Sequence, residues 1–246
     1  MRKEKSWFRC FGQGCFVVTN GNSIVYQLKE FYDRDIISEI ILCLILPTAL
    51  MQRQMIMIHG SGLVRDGKAF ILTGKSGSGK STLAEEFLKK GAKLLADDTV
   101  AIRINSDKVY AYPAYPQQKI CENLVTEKMK MEYDVVLLPD DAGTVKYGIR
   151  MQERFCDKEC NLSTIVEIQK DEKINTPVLV KIAGAEKIKY FIDNLYKVDG
   201  YKIMGILPDI FKQCLIIANN IDIYVLKRPA EGMTVEEQMD LLEKEL

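Results

Sequence analysis

The sequence predicts an α/β fold on three observations. Strand-like and helix-like segments alternate along most of the 246 residues, which is typical of layered α/β domains. The apolar strand Lys68 to Thr73 leads through a glycine-rich stretch into an amphipathic helix from about Lys80 to Lys90. Apolar residues make up 47% of the chain, enough to build a full hydrophobic core. The length fits one α/β domain with a small appendage, or two small domains.

Residues 1–52 are predicted to form a small N-terminal α+β lobe, a hairpin plus a helix. Asn20-Gly21-Asn22 separates two β-rich runs, which is a good hairpin signal. A helix with apolar residues at helical spacing follows. We expect Asp33 to cap its start and Pro47 to end it. Its apolar run, Ile36 to Leu46, is shorter than a bilayer requires and indicates a buried helix.

Residues 53–246 are predicted to form the α/β core. The predicted strands are 54–59, 63–64, 68–73, 93–96, 164–168 and 221–226. The predicted helices are 80–90, 185–196, one that begins at Pro208 and one that begins at a capping box, Thr234 to Glu237. Residues 139–160 carry no clear pattern.

The glycine-rich stretch Gly74 to Ser81 matches the Walker A pattern G-x-x-x-x-G-K-[ST] in full, and it lies between a strand and a helix as a P-loop requires. Glycines let successive N–H groups turn toward a phosphate, and the helix directs its positive end at the same anion. Lys80 is expected on the β/γ oxygens and Ser81 on Mg²⁺. The predicted nucleotide-binding residues are Gly74, Lys75, Ser76, Gly77, Ser78, Gly79, Lys80, Ser81 and Thr82.

Two acidic residues, Asp97 and Asp98, follow the strand that ends at Ala96. Adjacent carboxylates are unfavourable unless a cation faces them, and a Mg²⁺–nucleotide supplies one. We expect Asp98 with Ser81 on the metal, and Asp97, supported by His59, facing an acceptor hydroxyl. The alternatives are an ordinary acidic turn and a structural histidine.

His59-Gly60-Ser61, the P-loop and Leu95-Ala96-Asp97-Asp98 together resemble the bacterial HPr serine kinase/phosphorylase family over about residues 54–104. The resemblance implies a phosphoenolpyruvate-carboxykinase-like α/β core. It also implies ATP and Mg²⁺ as cofactors, and a catalytic centre that contains His59, Asp97, Asp98 and Lys80.

The chain departs from that family in two places. Lys75 stands where the parent enzyme has Asp, and no Glu-x-Arg-Gly signature follows. These departures argue against phosphorylase activity, hexameric assembly and HPr as the substrate. The ending Ile221 to Pro229 resembles the short HPr-kinase-like proteins, among them the kinases of lasso peptide gene clusters, which phosphorylate the C-terminal residue of a precursor peptide.

The predicted function is therefore an ATP- and Mg²⁺-dependent serine kinase that acts on a peptide tail. Two alternatives remain open: an HPr-type or small-molecule kinase, and a nucleotide-sensing regulatory ATPase. Four cations are candidates to bind a phosphate or a carboxylate: Lys119, Lys146, Arg150 and Arg154. The aromatic and proline-rich stretch Tyr110 to Pro116 could line a peptide groove or form a plain loop.

Composition restricts the partners. Lys plus Arg equals Asp plus Glu at 34 each, so no net field favours nucleic acid or an acidic membrane. Seven cysteines without a Cys-x-x-Cys pair suggest reduced thiols, and we expect a soluble cytoplasmic protein that could form a homo-oligomer.

Overall fold

The computed structural model describes residues 5–10, 12–121, 125, 135–139, 145–198 and 207–246. It is a mixed α/β structure with three sheets, and the predicted fold class is correct at that level. The division of the chain at residue 52 stays a prediction.

The N-terminal residues form a three-stranded antiparallel sheet and a long helix. The sheet has the order β1 (Lys5–Cys10), β2 (Gly14–Thr19), β3 (Ser23–Leu28). The predicted hairpin is confirmed, with Asn20 and Gly21 both at positive φ in its turn. Phe16, Val18, Ile37, Ile45 and Ala49 form a buried cluster of their own.

The helix that follows the hairpin begins as predicted and ends later than predicted. Asp33 caps α1 (Arg34–Ile40) by accepting from the backbone N–H groups of Asp35 and Ile36. Pro47 does not end it. A π-helical segment (Ile41–Ile45) follows, and α2 (Leu46–Gln52) continues the same helix with Pro47 as its second residue.

Pro47 is tolerated because the carbonyl that loses its helical donor finds another. Proline has no N–H for the carbonyl of Cys43, four residues earlier, and that carbonyl accepts from the Tyr196 hydroxyl.

The 19-residue span Arg34–Gln52 is long and apolar enough to cross a membrane by those two criteria, which core helices of soluble proteins also meet. Only 28% of its most apolar window is buried and most of the other residues are half-buried, so the helix predicted to be buried is only partly so.

A curled nine-stranded sheet forms the centre of the molecule. Its main path runs β4-β8-β9-β13-β6-β5-β7, with β15 paired to β13 and β14 paired to β15. The strands are β4 (Ile56–His59), β5 (Ser61–Arg65), β6 (Lys68–Thr73), β7 (Lys93–Ala96), β8 (Thr99–Asn105), β9 (Lys108–Tyr112), β13 (Cys160–Asp171), β14 (Val178–Ile182) and β15 (Asp222–Pro229). Because β6, β13 and β15 are parallel, their carboxyl ends meet at one edge.

Helices cover both faces of this sheet. On one face lie α3 (Lys80–Lys89) and α6 (Val235–Leu242), which bury Phe87 and Met239 against Val166. On the other lie α4 (Glu186–Asp193) and α5 (Pro208–Asn220), which bury their side chains against Ile165. Neighbouring residues of β13 therefore face opposite cores, as in a strand covered on both sides.

Two features of the remaining elements differ from the predictions. The third sheet has the order β10 (Gln117–Cys121), β12 (Val145–Arg150), β11 (Val135–Pro139) and was not predicted. A 3₁₀ turn (Gln152–Arg154) follows it. The capping box at Thr234 does not form: its hydroxyl accepts from the Gln238 side chain and caps no backbone N–H.

Candidate active site

The predicted P-loop, Gly74 to Ser81, joins the carboxyl end of β6 to the start of α3. Gly74, Gly77 and Gly79 all have positive φ. A Cβ on Gly74 would lie 2.4 Å from the carbonyl oxygen of Ile168, so only glycine fits there. Gly79 is the N-cap of α3 and has no side chain to bond the first N–H groups of the helix, which leaves them for an anion.

The interior of the loop fits a phosphate chain. The Lys80 ammonium donates to the carbonyl oxygens of Gly74 (2.6 Å) and Lys75 (3.1 Å), so its charge lies against the loop backbone. The Ser78 hydroxyl is buried, with no hydrogen-bond partner in the described structure. This hydroxyl lies on the side of Gly74 that faces Ile168, so it packs beneath the loop. Arg228 of β15 donates to the Ser78 carbonyl at 2.7 Å and supports the loop.

The other predicted loop residues differ in exposure. Lys75 and Ser76 are exposed, and Ser81 and Thr82 are half-buried in the first turn of α3. Ser81 therefore stands beside the anion cradle with its hydroxyl available as a hard oxygen donor.

Asp97, at the end of β7, is buried, with 7% of its surface exposed. One carboxylate oxygen accepts from the Ser61 hydroxyl at 2.5 Å, and the other accepts from the Lys119 amide at 2.6 Å. Burial raises the pKa of Asp97, against the two hydrogen bonds, which favour the charged form. The structure thus holds this carboxylate rigidly and makes it a better proton acceptor than an exposed one.

Asp98 is more open than Asp97. Its φ of 69° turns the chain sharply between β7 and β8, a conformation that Asp tolerates better than most residues. One of its oxygens lies 3.8 Å from His59 Nδ1, and the other lies 3.6 Å from Lys119 Nζ. Asp98 is therefore the carboxylate that faces the other charged groups of the site.

His59 lies at the end of β4, and its amide donates to the Asn194 carbonyl. The surrounding protein lowers the pKa of His59, chiefly by desolvation. Lys80 lowers it further, whereas Asp98 raises it. The imidazole is neutral at pH 7. Strand β5 pairs with β6, which leads into the P-loop, and with β7, which leads into the acidic pair, so both belong to one site. The expectation that His59 supports Asp97 is wrong, because Ser61 donates to Asp97 and His59 lies against Asp98.

Lys119 of β10 is the centre of a charged cluster. Its ammonium lies 2.6 Å from the Glu39 carboxylate of α1 and also donates to the Cys43 sulfur. Glu39 in turn accepts from the Gln117 side chain and from the Cys43 thiol. The helix of the N-terminal residues therefore reaches directly into the site.

The charge state of the cluster follows from its surroundings. Burial disfavours the charge on Lys119, but Asp98, Cys43 and Glu39 outweigh it and raise the pKa of Lys119 above its usual range. Burial raises the pKa of the Cys43 thiol to about 12, although Lys119 opposes the shift. At neutral pH, Lys119 is a cation and Cys43 a neutral thiol.

Sequence reasoning missed three members of this site. Ser61 lies inside the His-Gly-Ser run and could have been included from it. Glu39 is a carboxylate within a mostly apolar helix, which is a usable signal. Cys43 has no local signal.

The other predicted cations lie elsewhere or outside the description. Arg150 is exposed and stands opposite Gln117 in the β10–β12 ladder. Arg154 lies near Glu85 of α3, whose pKa it helps to lower against the effect of burial. The side chain of Lys146 lies outside the described part of the structure. Of the four cations, the structure brings Lys119 to the acidic pair.

A further carboxylate, Glu167, lies at the same edge of the sheet. It pairs with Thr73 in the β6–β13 ladder, next to the P-loop. It accepts from the side chains of Asn194 (2.8 Å) and Gln169 (2.7 Å). Because Asn194 also accepts from the His59 amide, Glu167 helps to fix the position of the histidine strand.

The oxygen donors of the site fit a magnesium ion better than a metal held by protein alone. No group of three or more His, Cys, Asp or Glu side chains with metal-binding geometry occurs among the described residues. Mg²⁺ commonly takes one or two protein oxygens and completes its shell with phosphates and water. Ser81 and Asp98 are two such oxygens beside the phosphate cradle.

Comparison with known proteins adds one distant structural similarity. No family model matches the chain. Among solved structures, the chain is similar to the Hpr(Ser) kinase/phosphatase from Coxiella burnetii, with 12% sequence identity. The match covers 77% of this chain and 95% of that one, with a TM-score of 0.39. A likeness of this size establishes neither a family nor a function.

Proposed function

We propose that the chain is an ATP- and Mg²⁺-dependent serine kinase that phosphorylates the C-terminal serine of a peptide, as the kinases of lasso peptide clusters do. One observation carries the proposal: a glycine cradle for phosphates, with Lys80 inside it, stands beside two carboxylates that differ in burial. Phosphoryl transfer depends mainly on positioning and on neutralising charge, and these are the groups that provide both.

The P-loop holds the triphosphate of ATP through its backbone N–H groups and Lys80. Ser81 and Asp98 would hold Mg²⁺, which supplies neutralisation of the negative charge on the phosphate oxygens. The Lys119 cation, fixed by Glu39, provides a second positive charge beside Asp98.

Asp97 is assigned to the acceptor hydroxyl. The serine oxygen forms a bond to the γ-phosphorus while the bond from that phosphorus to the β,γ-bridging oxygen breaks and ADP leaves. The hydroxyl proton passes to the Asp97 carboxylate. Its raised pKa favours this role, and Ser61 and the Lys119 amide hold it in one orientation.

The substrate part of the proposal rests on the sequence resemblance and on accessibility. A chain terminus presents a hydroxyl that needs no local unfolding to enter a cleft. It also carries an α-carboxylate, which a buried cation such as Lys119 could bind in a charge-assisted contact. We assign the reaction to the cytoplasm, where ATP is available.

The test is mass spectrometry of a peptide ending in Ser after incubation with ATP and Mg²⁺. Controls are the same peptide ending in Ala, a peptide with the Ser moved inward, and folded HPr. We expect phosphate on the terminal serine alone. Phosphate on HPr or on an internal serine would favour the HPr-type alternative, and release of ADP without any acceptor would favour a regulatory ATPase.

A further inference from the structure

A cavity of about 560 Å³ lies between the N-terminal helix and the outer face of β8 and β9. We call it the lobe cavity. Its walls are mostly apolar, and the side chains that form them are Leu42, Leu46, Leu50, Met57, Ala101 and Pro113. Leu46 is 40% exposed, which is high for a leucine within a helix that packs on the protein. The lobe cavity therefore presents apolar surface that a ligand could cover.

The inner end of the lobe cavity belongs to the candidate active site. Asp97 and Cys43 line it, and both contact Lys119. Tyr115, whose hydroxyl lies 3.4 Å from the Cys43 sulfur, lines it as well. The cavity thus reaches the acidic pair from the side of Asp97.

The inner end also carries an unused polar group. Thr99 lines the cavity and is 7% exposed, and its hydroxyl has no hydrogen-bond partner in the described structure. A buried hydroxyl without a partner costs free energy unless something bonds to it. The hydroxyl oxygen itself is buried, so a ligand in the cavity would contact the rest of Thr99.

The outer end of the lobe cavity carries a positive charge. Arg53 follows α2 and is exposed, and no described residue pairs with its guanidinium. Gly21 and Asn22 of the hairpin turn lie beside it. The cavity is thus apolar along its length, with a carboxylate at the inner end and a cation at the mouth.

We propose that the lobe cavity is the acceptor site, and that it takes the last residues of an extended peptide with apolar side chains near the terminus and an acidic side chain farther back. The proposal rests on the proposed kinase activity and specifies the substrate class. The terminal hydroxyl lies at Asp97, the apolar side chains lie against Leu46 and Leu50, and the acidic side chain lies at Arg53. An apolar wall with a single cation at its mouth suits a peptide better than a second nucleotide, because a nucleotide needs several donors for its phosphates.

The experiment measures binding and phosphorylation separately. The probe is a fluorescein-labelled peptide that ends in Ser, with two apolar residues before it and one Glu farther from the terminus. Anisotropy reports its binding to the full chain, and mass spectrometry reports its phosphorylation. Nucleotide affinity is measured by calorimetry in every variant.

The variants are Leu46→Asn and Arg53→Glu. Their controls are Leu215→Asn, an exposed leucine of α5, and Lys212→Glu on the same helix. We expect Leu46→Asn to weaken peptide binding about tenfold, the effect of a lost apolar contact in a pocket. Arg53→Glu should weaken it about fivefold, as an exposed charge pair allows. ATP affinity should stay unchanged, and both controls should bind the peptide like the wild type.

A charge swap completes the test. The peptide with Lys in place of Glu should bind Arg53→Glu better than the wild type. Equal peptide affinity in the wild type and both cavity variants would overturn the acceptor site, whatever the phosphorylation result. Normal, cavity-dependent peptide binding without any phosphate transfer would instead overturn the kinase function and leave the cavity as a peptide site.

Discussion

The Glu39 carboxylate lies 2.6 Å from the Lys119 ammonium, and both side chains are largely buried at 14% and 17% exposure. Glu39 belongs to the first helix and Lys119 to a strand of the third sheet. Because Lys119 also holds Asp97 through its amide and lies near Asp98, this pair connects the N-terminal helix to the acidic centre.

We predict that Glu39 and Lys119 are energetically coupled. A double-mutant cycle with Glu39→Gln and Lys119→Met, measured by urea unfolding, should give a coupling energy of about 0.5–3 kcal/mol. The exposed pair Lys181–Asp222, at 3.0 Å, is the matched control and should give less than about 1 kcal/mol. Equal coupling in the two pairs would mean that the buried pair contributes no more than a surface contact.

His59 is the only histidine, so its ring protons give an isolated NMR signal. We predict a pKa below its ordinary value of about 6.5. Asp98→Asn should lower the pKa of His59 further, because Asp98 favours the charged ring, and Lys80→Ala should raise it. Asp66→Asn, an exposed carboxylate on a distant turn, is the control. A shift in the opposite direction in either site variant would contradict the described arrangement.

Asp97→Asn should lower turnover and should also change how the stability of the fold depends on pH. Turnover should fall by at least about a hundredfold, the low end for a positioned acid or base. Because the pKa of Asp97 is raised on folding, the folded wild type binds more protons than the unfolded chain between the two pKa values. The Asp97 carboxylate therefore contributes a loss of stability as pH rises above about 3.9, and the variant lacks this contribution.

The measurement is urea unfolding of both proteins at neutral and acidic pH. We expect the stability of Asp97→Asn relative to the wild type to be highest at neutral pH and to decline as the solution is acidified. A relative stability that rises on acidification would show that the carboxylate is stabilised by its hydrogen bonds more than it is destabilised by burial.

Lys80→Ala should weaken ATP binding strongly while the fold remains intact. The ammonium lies within the P-loop, against two of its carbonyl groups. Lys68→Ala, an exposed lysine at the opposite end of β6, removes the same charge and should bind ATP like the wild type. Calorimetry with Mg²⁺ measures the affinity for ATP. Equal ATP affinity in Lys80→Ala and in the wild type would refute the P-loop assignment.

Local signals in the sequence predicted the parts of the fold that local chemistry determines. The P-loop, the hairpin turn at Asn20 and Gly21, the cap at Asp33 and the helix that begins at Pro208 lie where short-range patterns placed them. In each case the decisive interaction joins residues only a few positions apart.

The errors involve partners that are distant in sequence. Pro47 looked like a helix end, because nothing nearby shows that Tyr196 supplies the missing donor. Of the strands after Asp98, β10 was missed because a fully buried Gln118 interrupts its apolar pattern. The role of Ser61 as the partner of Asp97 depends on how β5 and β7 pair, which no local pattern reports.

The π-helical segment Ile41–Ile45 has a consequence for how the chain tolerates changes of length. A π turn holds about one residue more than an α turn, and each helical residue advances the face by about 100°. Removing one residue there would turn the π segment into a regular α turn, and Glu39 would still face Lys119 while Leu46 and Leu50 would still form the wall of the cavity. The π segment is therefore the place in this helix where a change of one residue in length can be absorbed without rotating either surface.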